Sequence, residues 1–179
     1  MKAIPSLFIA LLLSSASFSQ KIVIGGKEEL RPLTWTDFPG KVDNSSPFYA
    51  MTGWNISYRY GNVTAVGESV KIGKFEAILQ LDPKTSWVKK ENATDDLLKH
   101  EQTHFSIGVL ALNELLAKFK EASLTKSNYN AVLQNIFNTT MVKYSKMGDQ
   151  YDKETDHSKN KEAQTKWNAF VETELAKYK

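Results

Sequence analysis

Apolar and polar residues alternate along much of the first half of the chain, which is the pattern of strands with one buried face. The clearest runs cover residues 54–60 and residues 75–81, and the second run is closed by Asp82-Pro83. Gly61-Asn62 is typical of a turn, and we expect a short strand over residues 63–67. Because these segments are too close together for crossover helices, the pattern predicts a small antiparallel sheet.

After Lys90 the apolar residues recur every three or four positions, which predicts helices. We expect a first helix over residues 95–120, with Thr94 as its N-cap, and a second over residues 128–147. Gly148-Asp149 interrupts the second helix in this interpretation, and a last helix is predicted over residues 159–177. Strands followed by helices, without a repeat or a linker, indicate one α+β domain over residues 20–179.

The first nineteen residues are typical of a secretory signal peptide that is cleaved after Ser19. They combine Lys2, an apolar run over residues 4–13, and the small residues Ser17 and Ser19. The apolar run is too short to span a bilayer as a stable helix, so we expect a secreted or periplasmic protein without stable membrane insertion. The alternative is a buried N-terminal helix or strand.

Composition narrows the chemistry that the chain can carry. The chain has 179 residues, no cysteine, three histidines and a net charge of +3. The missing cysteines exclude a disulfide framework, thiolate metal ligands and thiol catalysis, so any metal site must use nitrogen and oxygen. The small, mixed charge does not indicate a nucleic-acid partner, and no pattern indicates an oligomeric state.

Two of the three histidines, His100 and His104, lie four residues apart in the predicted first helix, with Glu101 between them. This spacing places both imidazoles on one helix face, where two nitrogens can reach one zinc ion at ~2.0–2.1 Å. Glu101 can then take a proton from a zinc-activated water and pass it to a leaving amine. The alternative is a pair of solvated histidines on an amphipathic helix.

A zinc peptidase site of this type needs a third protein ligand. Ile107 and Leu110 exclude the subclass that has a glycine and a third histidine just downstream. His157 is the remaining histidine, in the polar stretch 151–158, which we expect to be a loop before the last helix. We favour His157 as the third ligand. The alternatives are the nearby acids Asp152, Glu154 and Asp156, of which those that do not bind metal can hold an imidazole in place.

Two other functions use the same residues. Glu101-x-x-His104 and Glu154-x-x-His157 match the paired motif of di-iron four-helix bundles, although the strands of the first half do not suit that fold. The same histidines could also belong to a non-catalytic binding module that zinc stabilises, if an acid of the polar stretch closes the site as a fourth ligand.

Several motifs along the chain resemble those of an uncharacterised bacterial family described as secreted zinc-dependent proteases, zincin-like and of the His-Glu-x-x-His type. The motifs are Leu33-Thr-Trp-Thr-Asp-Phe38, Ser46-Pro-Phe-Tyr-Ala-Met-Thr52, Ser86-Trp-Val-Lys89, Leu97-Leu-Lys-His-Glu-Gln-Thr-His-Phe105, Tyr151-Asp-Lys-Glu-Thr-Asp-His157, Gln164 and Trp167-Asn168. The resemblance covers about residues 33–170. It implies that His100 and His104 bind zinc and that Glu101 is the catalytic carboxylate.

The resemblance also marks a second site segment, which contains Tyr151, Asp152, Thr155 and His157. Thr103 and Ser158 stand where this pattern has us expect glycine, and a serine at 158 can alter the turn that positions the neighbouring histidine.

Together these features predict a zinc metallohydrolase, most simply a peptidase that acts on a peptide or protein substrate. Zinc would be held by His100, His104 and His157, with Glu101 as general base and acid. We expect Tyr151 to donate a hydrogen bond to the developing oxyanion. We further expect an extended substrate to pair with the edge of the strand over residues 75–81.

Overall fold

The computed structural model describes residues 16–178; the predicted apolar run over residues 4–13 lies outside the described residues. Within that part of the chain, strands precede three helices, so the predicted α+β class is confirmed. The strands are β1 (Ser17–Ile24), β2 (Lys27–Glu28), β3 (Ala50–Met51), β4 (Trp54–Val66), β5 (Ser69–Leu81) and β6 (Trp87–Val88). The helices are α1 (Asp95–Glu121), α2 (Tyr129–Thr155) and α3 (Lys161–Ala176).

The main sheet is mixed, whereas the sequence pattern predicts an antiparallel one. Its order is β2-β1-β5-β4, and β1 runs parallel to β5, with Gln20 opposite Ala77 and Val23 opposite Gln80. β1 overlaps the end of the predicted signal peptide, and local sequence carries no signal for its pairing with a strand more than fifty residues away. Cleavage after Ser19 would remove the first three residues of β1 and their pairs with β5, and it would leave the four pairs from Gln20 to Val23.

Gly61-Asn62 does not form the expected turn, because β4 continues through it and pairs with β5 at Gly61 and again at Val63. Asn62 takes a left-handed φ of 56° inside the strand. The neighbouring strand β5 accommodates this conformation because it has Gly73 at this position. A Cβ on residue 73 would come within 2.9 Å of the Asn62 Cβ. The chain reverses at Gly67 instead, whose φ of 60° is of the kind that tight hairpin turns require.

α1 packs its apolar face on the sheet and carries the core of the domain. As predicted, Thr94 is its N-cap: the Oγ1 accepts a hydrogen bond from Leu97 N at 3.2 Å. Side chains from α1 and β5 that are almost fully buried meet in this layer; among them are Phe75, Leu79, Phe105, Leu112 and Phe119. The core therefore holds α1 in a fixed orientation and leaves one of its faces to the other two helices.

α2 does not end at Gly148 but continues to Thr155, so the prediction of a break at this position is wrong. A single glycine costs a helix only about 1 kcal/mol, and burial of Tyr144 and Tyr151 on either side offsets that cost. The helix ends at Asp156, which takes a left-handed conformation. Asp152 therefore stands on a helix and not in a loop.

α2 runs antiparallel to α1, and α3 packs against both helices. Tyr144 donates a hydrogen bond to Glu114 near the end of α1, while Asp152, two turns further along α2, reaches His100 near the start of α1. None of the helices in residues 16–178 combines the length and the apolarity needed to cross a membrane.

Candidate metal site

His100, His104 and Asp152 form a compact cluster between α1 and α2. The Nε2 atoms of His100 and His104 lie 3.0 Å and 2.8 Å from the same Asp152 atom, Oδ1. The three ligand atoms lie within 4.8 Å of one another, and the His100 ring is buried. The helical spacing of the two histidines produces this convergence as predicted, and the acid comes from the neighbouring antiparallel helix.

Gln164 of α3 orients His100 from behind. The Gln164 Nε2 donates hydrogen bonds to the Tyr151 hydroxyl and to Asn168 Oδ1, which turns its Oε1 toward His100 Nδ1 at 3.0 Å. His100 Nδ1 is then the donor of that bond, so His100 Nε2 is the nitrogen that faces Asp152 and is available to a metal ion.

The cluster fits zinc in both chemistry and size. Two imidazole nitrogens and a carboxylate oxygen are a common zinc ligand set, with a fourth position left for water. Zinc bonds of ~2.0–2.1 Å in a tetrahedron place two ligand atoms about 3.3 Å apart, by the geometry of such sites. The distances of 2.8 Å and 3.0 Å from Asp152 to the histidines are slightly shorter. A small outward rotation of the Asp152 side chain would therefore admit the ion.

His157 lies beside this cluster and is not one of its three members. Its Nδ1 is 3.5 Å from Asp152 Oδ1, and its ring packs on Phe48 with the centroids 4.3 Å apart. It belongs to a left-handed turn in which Asp156, His157 and Ser158 have φ values of 46°, 49° and 78°. The structure thus brings one of the alternative acids, Asp152, to the histidine pair, with His157 at the edge of the site.

Electrostatics couple Asp152 to the histidines. Burial alone would raise the pKa of Asp152, but its hydrogen bonds to His100 and His104 hold this pKa well below the usual range. Burial alone would lower the pKa of His104, but the hydrogen bond and the charge of Asp152 raise it above its ordinary value of 6.5. Without a metal, the site therefore favours a carboxylate paired with a protonated imidazole.

Glu101 reaches the same cleft, and Thr52 holds its carboxylate. The Thr52 Oγ1 lies 2.6 Å from Glu101 Oε2, to which it donates a hydrogen bond, and the Glu101 side chain is almost fully buried. Thr52 follows β3, so a segment from the sheet half of the chain restrains a carboxylate on α1. Glu101 is thereby kept next to the His100–His104 pair with a restricted set of rotamers.

Tyr151 does not reach the cleft, contrary to the role in oxyanion binding that we expected. The side chain is fully buried, and its hydroxyl donates to the His100 backbone carbonyl at 3.2 Å and accepts from Gln164 Nε2. Its ring stacks on the His100 imidazole with centroids 4.6 Å apart. Burial raises the pKa of Tyr151. Its ring and hydroxyl contact His100, so its position makes it a support for that residue.

The remaining acids of the polar stretch point away from the cluster. Glu154 accepts hydrogen bonds from Gln150 and from the indole of Trp167, and Asp156 is largely exposed. The second Glu-x-x-His pair therefore does not bring its glutamate to the cluster, which leaves the di-iron interpretation without support.

The cluster opens into a cleft of about 340 Å³. α1 and α2 form its floor, and residues 47–52 together with Trp54 cover it from the other side. β5 lies between β1 and β4, so the strand over residues 75–81 has no free edge for a substrate, contrary to our expectation. The strand that borders the cleft is β3, which pairs with β6 on one side only within residues 16–178.

Sequence reasoning assigned no role to Gln164, Asn168 or Thr52, all of which support the site. Gln164 stands on the same helical stripe as the buried residues Trp167 and Val171, and a polar residue on a buried stripe is a usable signal for such a role. Thr103, where we expected glycine, donates a hydrogen bond to Asn168 Oδ1 at 2.9 Å. The threonine hydroxyl thus joins the hydrogen bonds of Asn168 and Gln164, to which a glycine could not contribute.

The fold and the site together define an α+β domain with a His-His-Asp cluster between its first two helices. The chain belongs to the family described as "Bacterial protein of unknown function (DUF922)", whose model matches residues 33–158. That match covers β3 to α2 and thus all members of the cluster. Comparison with curated proteins and with solved structures produced no match.

Proposed function

We propose that this chain is a zinc-dependent metallohydrolase and that it cleaves peptides. The observation that carries the proposal is the convergence of His100 Nε2 and His104 Nε2 on Asp152 Oδ1, with the Glu101 carboxylate in the same cleft. Two imidazoles, one carboxylate ligand and a separate buried carboxylate are what metal-assisted hydrolysis of an amide needs. The segment over residues 1–19 supports export, so the proposed place of action is the periplasm or the cell exterior.

In this proposal His100, His104 and Asp152 hold the ion, and His157 lies close enough to approach it. Bound zinc would supply a water of lowered pKa, about 7, and would polarise the substrate carbonyl. Glu101 accepts one proton of the attacking water as the new carbon–oxygen bond forms, and it delivers that proton to the nitrogen as the carbon–nitrogen bond breaks. The Thr52 hydroxyl keeps the Glu101 carboxylate in place for both transfers.

The test combines metal analysis with one conservative substitution. We expect about one zinc per purified chain. Glu101→Gln should retain that zinc and lose hydrolysis of a mixed peptide library, because the amide cannot accept a proton. Glu121→Gln, at the exposed end of the same helix, is the matched control and should retain activity. Two irons per chain, or full activity in Glu101→Gln, would overturn the proposal.

A binding module stabilised by zinc is the second candidate, and the position of His157 favours it. Its Nδ1, 3.5 Å from Asp152 Oδ1, is near enough to become a fourth protein ligand, which would close the site to water. In that case zinc affinity should fall sharply in His157→Ala, and the wild-type protein should cleave no peptide of the library. If His157→Ala binds zinc as tightly as wild type, the fourth position belongs to water.

A further inference from the structure

The cleft is long enough for an extended segment of polypeptide. Its α1 lining runs from Leu97 to Ile107 in one stripe, which also includes His100, Glu101 and His104. Ten residues of helix rise about 15 Å, the length of about four to five extended residues. The metal cluster lies in the middle of this stripe, so a bound chain would extend past it in both directions.

The two ends of the cleft differ in polarity. The end near the start of α1 carries His157 and Lys159. The salt bridge between Lys161 and Asp96 holds the turn that contains these two residues next to the first turn of α1. The other end, past His104, is lined by Trp54, Ile107 and Tyr144, with the exposed Ser145 at its rim. On α2 the nearest carboxylate that lines the cleft is Asp149, one turn further toward Asp152, and on α1 Glu114 lies behind the Tyr144 hydroxyl.

The walls of the apolar end are held in place by contacts outside the cleft. The Trp54 indole packs against α1 at Gly108, where a Cβ would come within 2.9 Å of Trp54 Cδ2. The Tyr144 hydroxyl is engaged by Glu114 at 2.8 Å, and burial together with that carboxylate raises the pKa of Tyr144. Tyr144 and Ile107 are 4% and 1% exposed and form the closed floor of this end, so its accessible apolar surface comes mainly from the half-buried Trp54 indole. The Tyr144 hydroxyl is bonded to Glu114 and is not available to a ligand.

We infer that Trp54, Ile107 and Tyr144 form a specificity subsite that selects peptides with a bulky apolar side chain next to the scissile bond. The inference rests on the hydrolase proposed above and adds the class of substrate. Leucine, isoleucine, methionine and phenylalanine side chains lose their contact with water here, whereas a charged side chain would lose its hydration without finding a partner. Substrates with aspartate or lysine at this position are therefore rejected.

The experiment uses the zinc-loaded full chain and blocked pentapeptides that differ only in the central residue. We expect kcat/KM to be at least about tenfold higher for the leucine peptide than for the alanine peptide. The ratio of leucine to aspartate should be larger than the ratio of leucine to alanine. Ser145→Lys places a cation at the rim of the subsite and should lower the leucine-to-aspartate ratio by about tenfold. Gln134→Lys adds the same charge at an exposed position of α2 outside the cleft and should leave the ratio unchanged.

Binding of the same peptides to zinc-loaded Glu101→Gln separates the subsite from the chemistry. Tighter binding of the leucine peptide than of the aspartate peptide supports the subsite even where turnover fails. A lack of cleavage by zinc-loaded wild type overturns the hydrolase. Equal binding and equal cleavage of all the peptides, or a Ser145→Lys profile identical to that of Gln134→Lys, overturns the subsite.

Discussion

Gln164 is the residue whose replacement tests the proposed metal site most directly without changing a proposed ligand. Its Oε1 accepts the proton of His100 Nδ1 at 3.0 Å and thereby leaves His100 Nε2 free to bind metal. Gln164→Leu removes this acceptor and retains a similar volume. The buried His100 can then move its proton to Nε2, which has Asp152 Oδ1 as an acceptor, and the metal must displace that proton.

The expected loss of zinc affinity follows from the hydrogen bonds that each partner of Gln164 retains in the leucine variant. The Tyr151 hydroxyl still donates to the His100 carbonyl, and Asn168 Oδ1 still accepts from Thr103, so neither is left without a hydrogen bond. The loss therefore falls mainly on His100. Outer-shell substitutions of this kind typically cost 10- to 100-fold in metal affinity, or about 1.4–2.7 kcal/mol.

The assay is competition for zinc between the protein and a chromogenic chelator, with circular dichroism to confirm that the variant is folded. Gln164→Glu is the matched variant, because its carboxylate still accepts from His100 Nδ1 and makes the imidazole a stronger ligand. We expect the leucine variant to lose affinity and the glutamate variant to equal or exceed wild type. A folded Gln164→Leu with wild-type affinity would refute the assigned role of Gln164.

Three other perturbations test the helix cap, the ion pair and the left-handed turn. Thr94→Ala should lower the free energy of unfolding by about 1 kcal/mol in urea titrations, because the Leu97 N–H loses its acceptor. In metal-free protein, the stabilising pair of Asp152 and His104 is complete between their ordinary pKa values of 3.8 and 6.5. It is lost as the pH falls through the lowered pKa of Asp152 or rises through the raised pKa of His104, so Tm should decrease on both sides of that window. Ser158→Gly should raise the unfolding free energy by about 0.5–1 kcal/mol in the same titrations, because the left-handed conformation that strains serine costs glycine little; a lower value would show that the turn is not strained.

The parts of the site that were predictable lie within one helix. His100, Glu101 and His104 share α1, whose apolar spacing and N-cap are local signals, and helix geometry fixes their relative positions. The sequence favours His157 over Asp152 because His157 is the remaining histidine, and the predicted end of α2 at Gly148 places both residues in a loop. A glycine is a weak breaker when large residues on both sides of it are buried, and burial is a tertiary property that local patterning does not show.

The sheet shows the same limit in a different form. β1 pairs in parallel with β5 across more than fifty residues of chain, and its sequence overlaps the segment that resembles a signal peptide. Gly61-Asn62 is a residue pair typical of turns, but Asn62 lies in a strand, because Gly73 on the opposite strand leaves room for it. In both places the outcome depends on a partner strand, which the alternation of apolar residues does not identify.

Protein contacts hold the side chains of the candidate site in place, and this supports the proposed catalytic role over a structural one. Tyr151 stacks on His100, Gln164 holds the other side of that ring, and the buried side chains of α1 pack on β5. Small domains that fold only around zinc lack such a core, and the ion supplies their folding energy. Here the apolar core already fixes α1, and the helices α2 and α3 bring Asp152 and Gln164 to it. The apolar core can therefore build the cleft itself, and in the proposed hydrolase a fourth coordination position of the ion would be left to water and substrate.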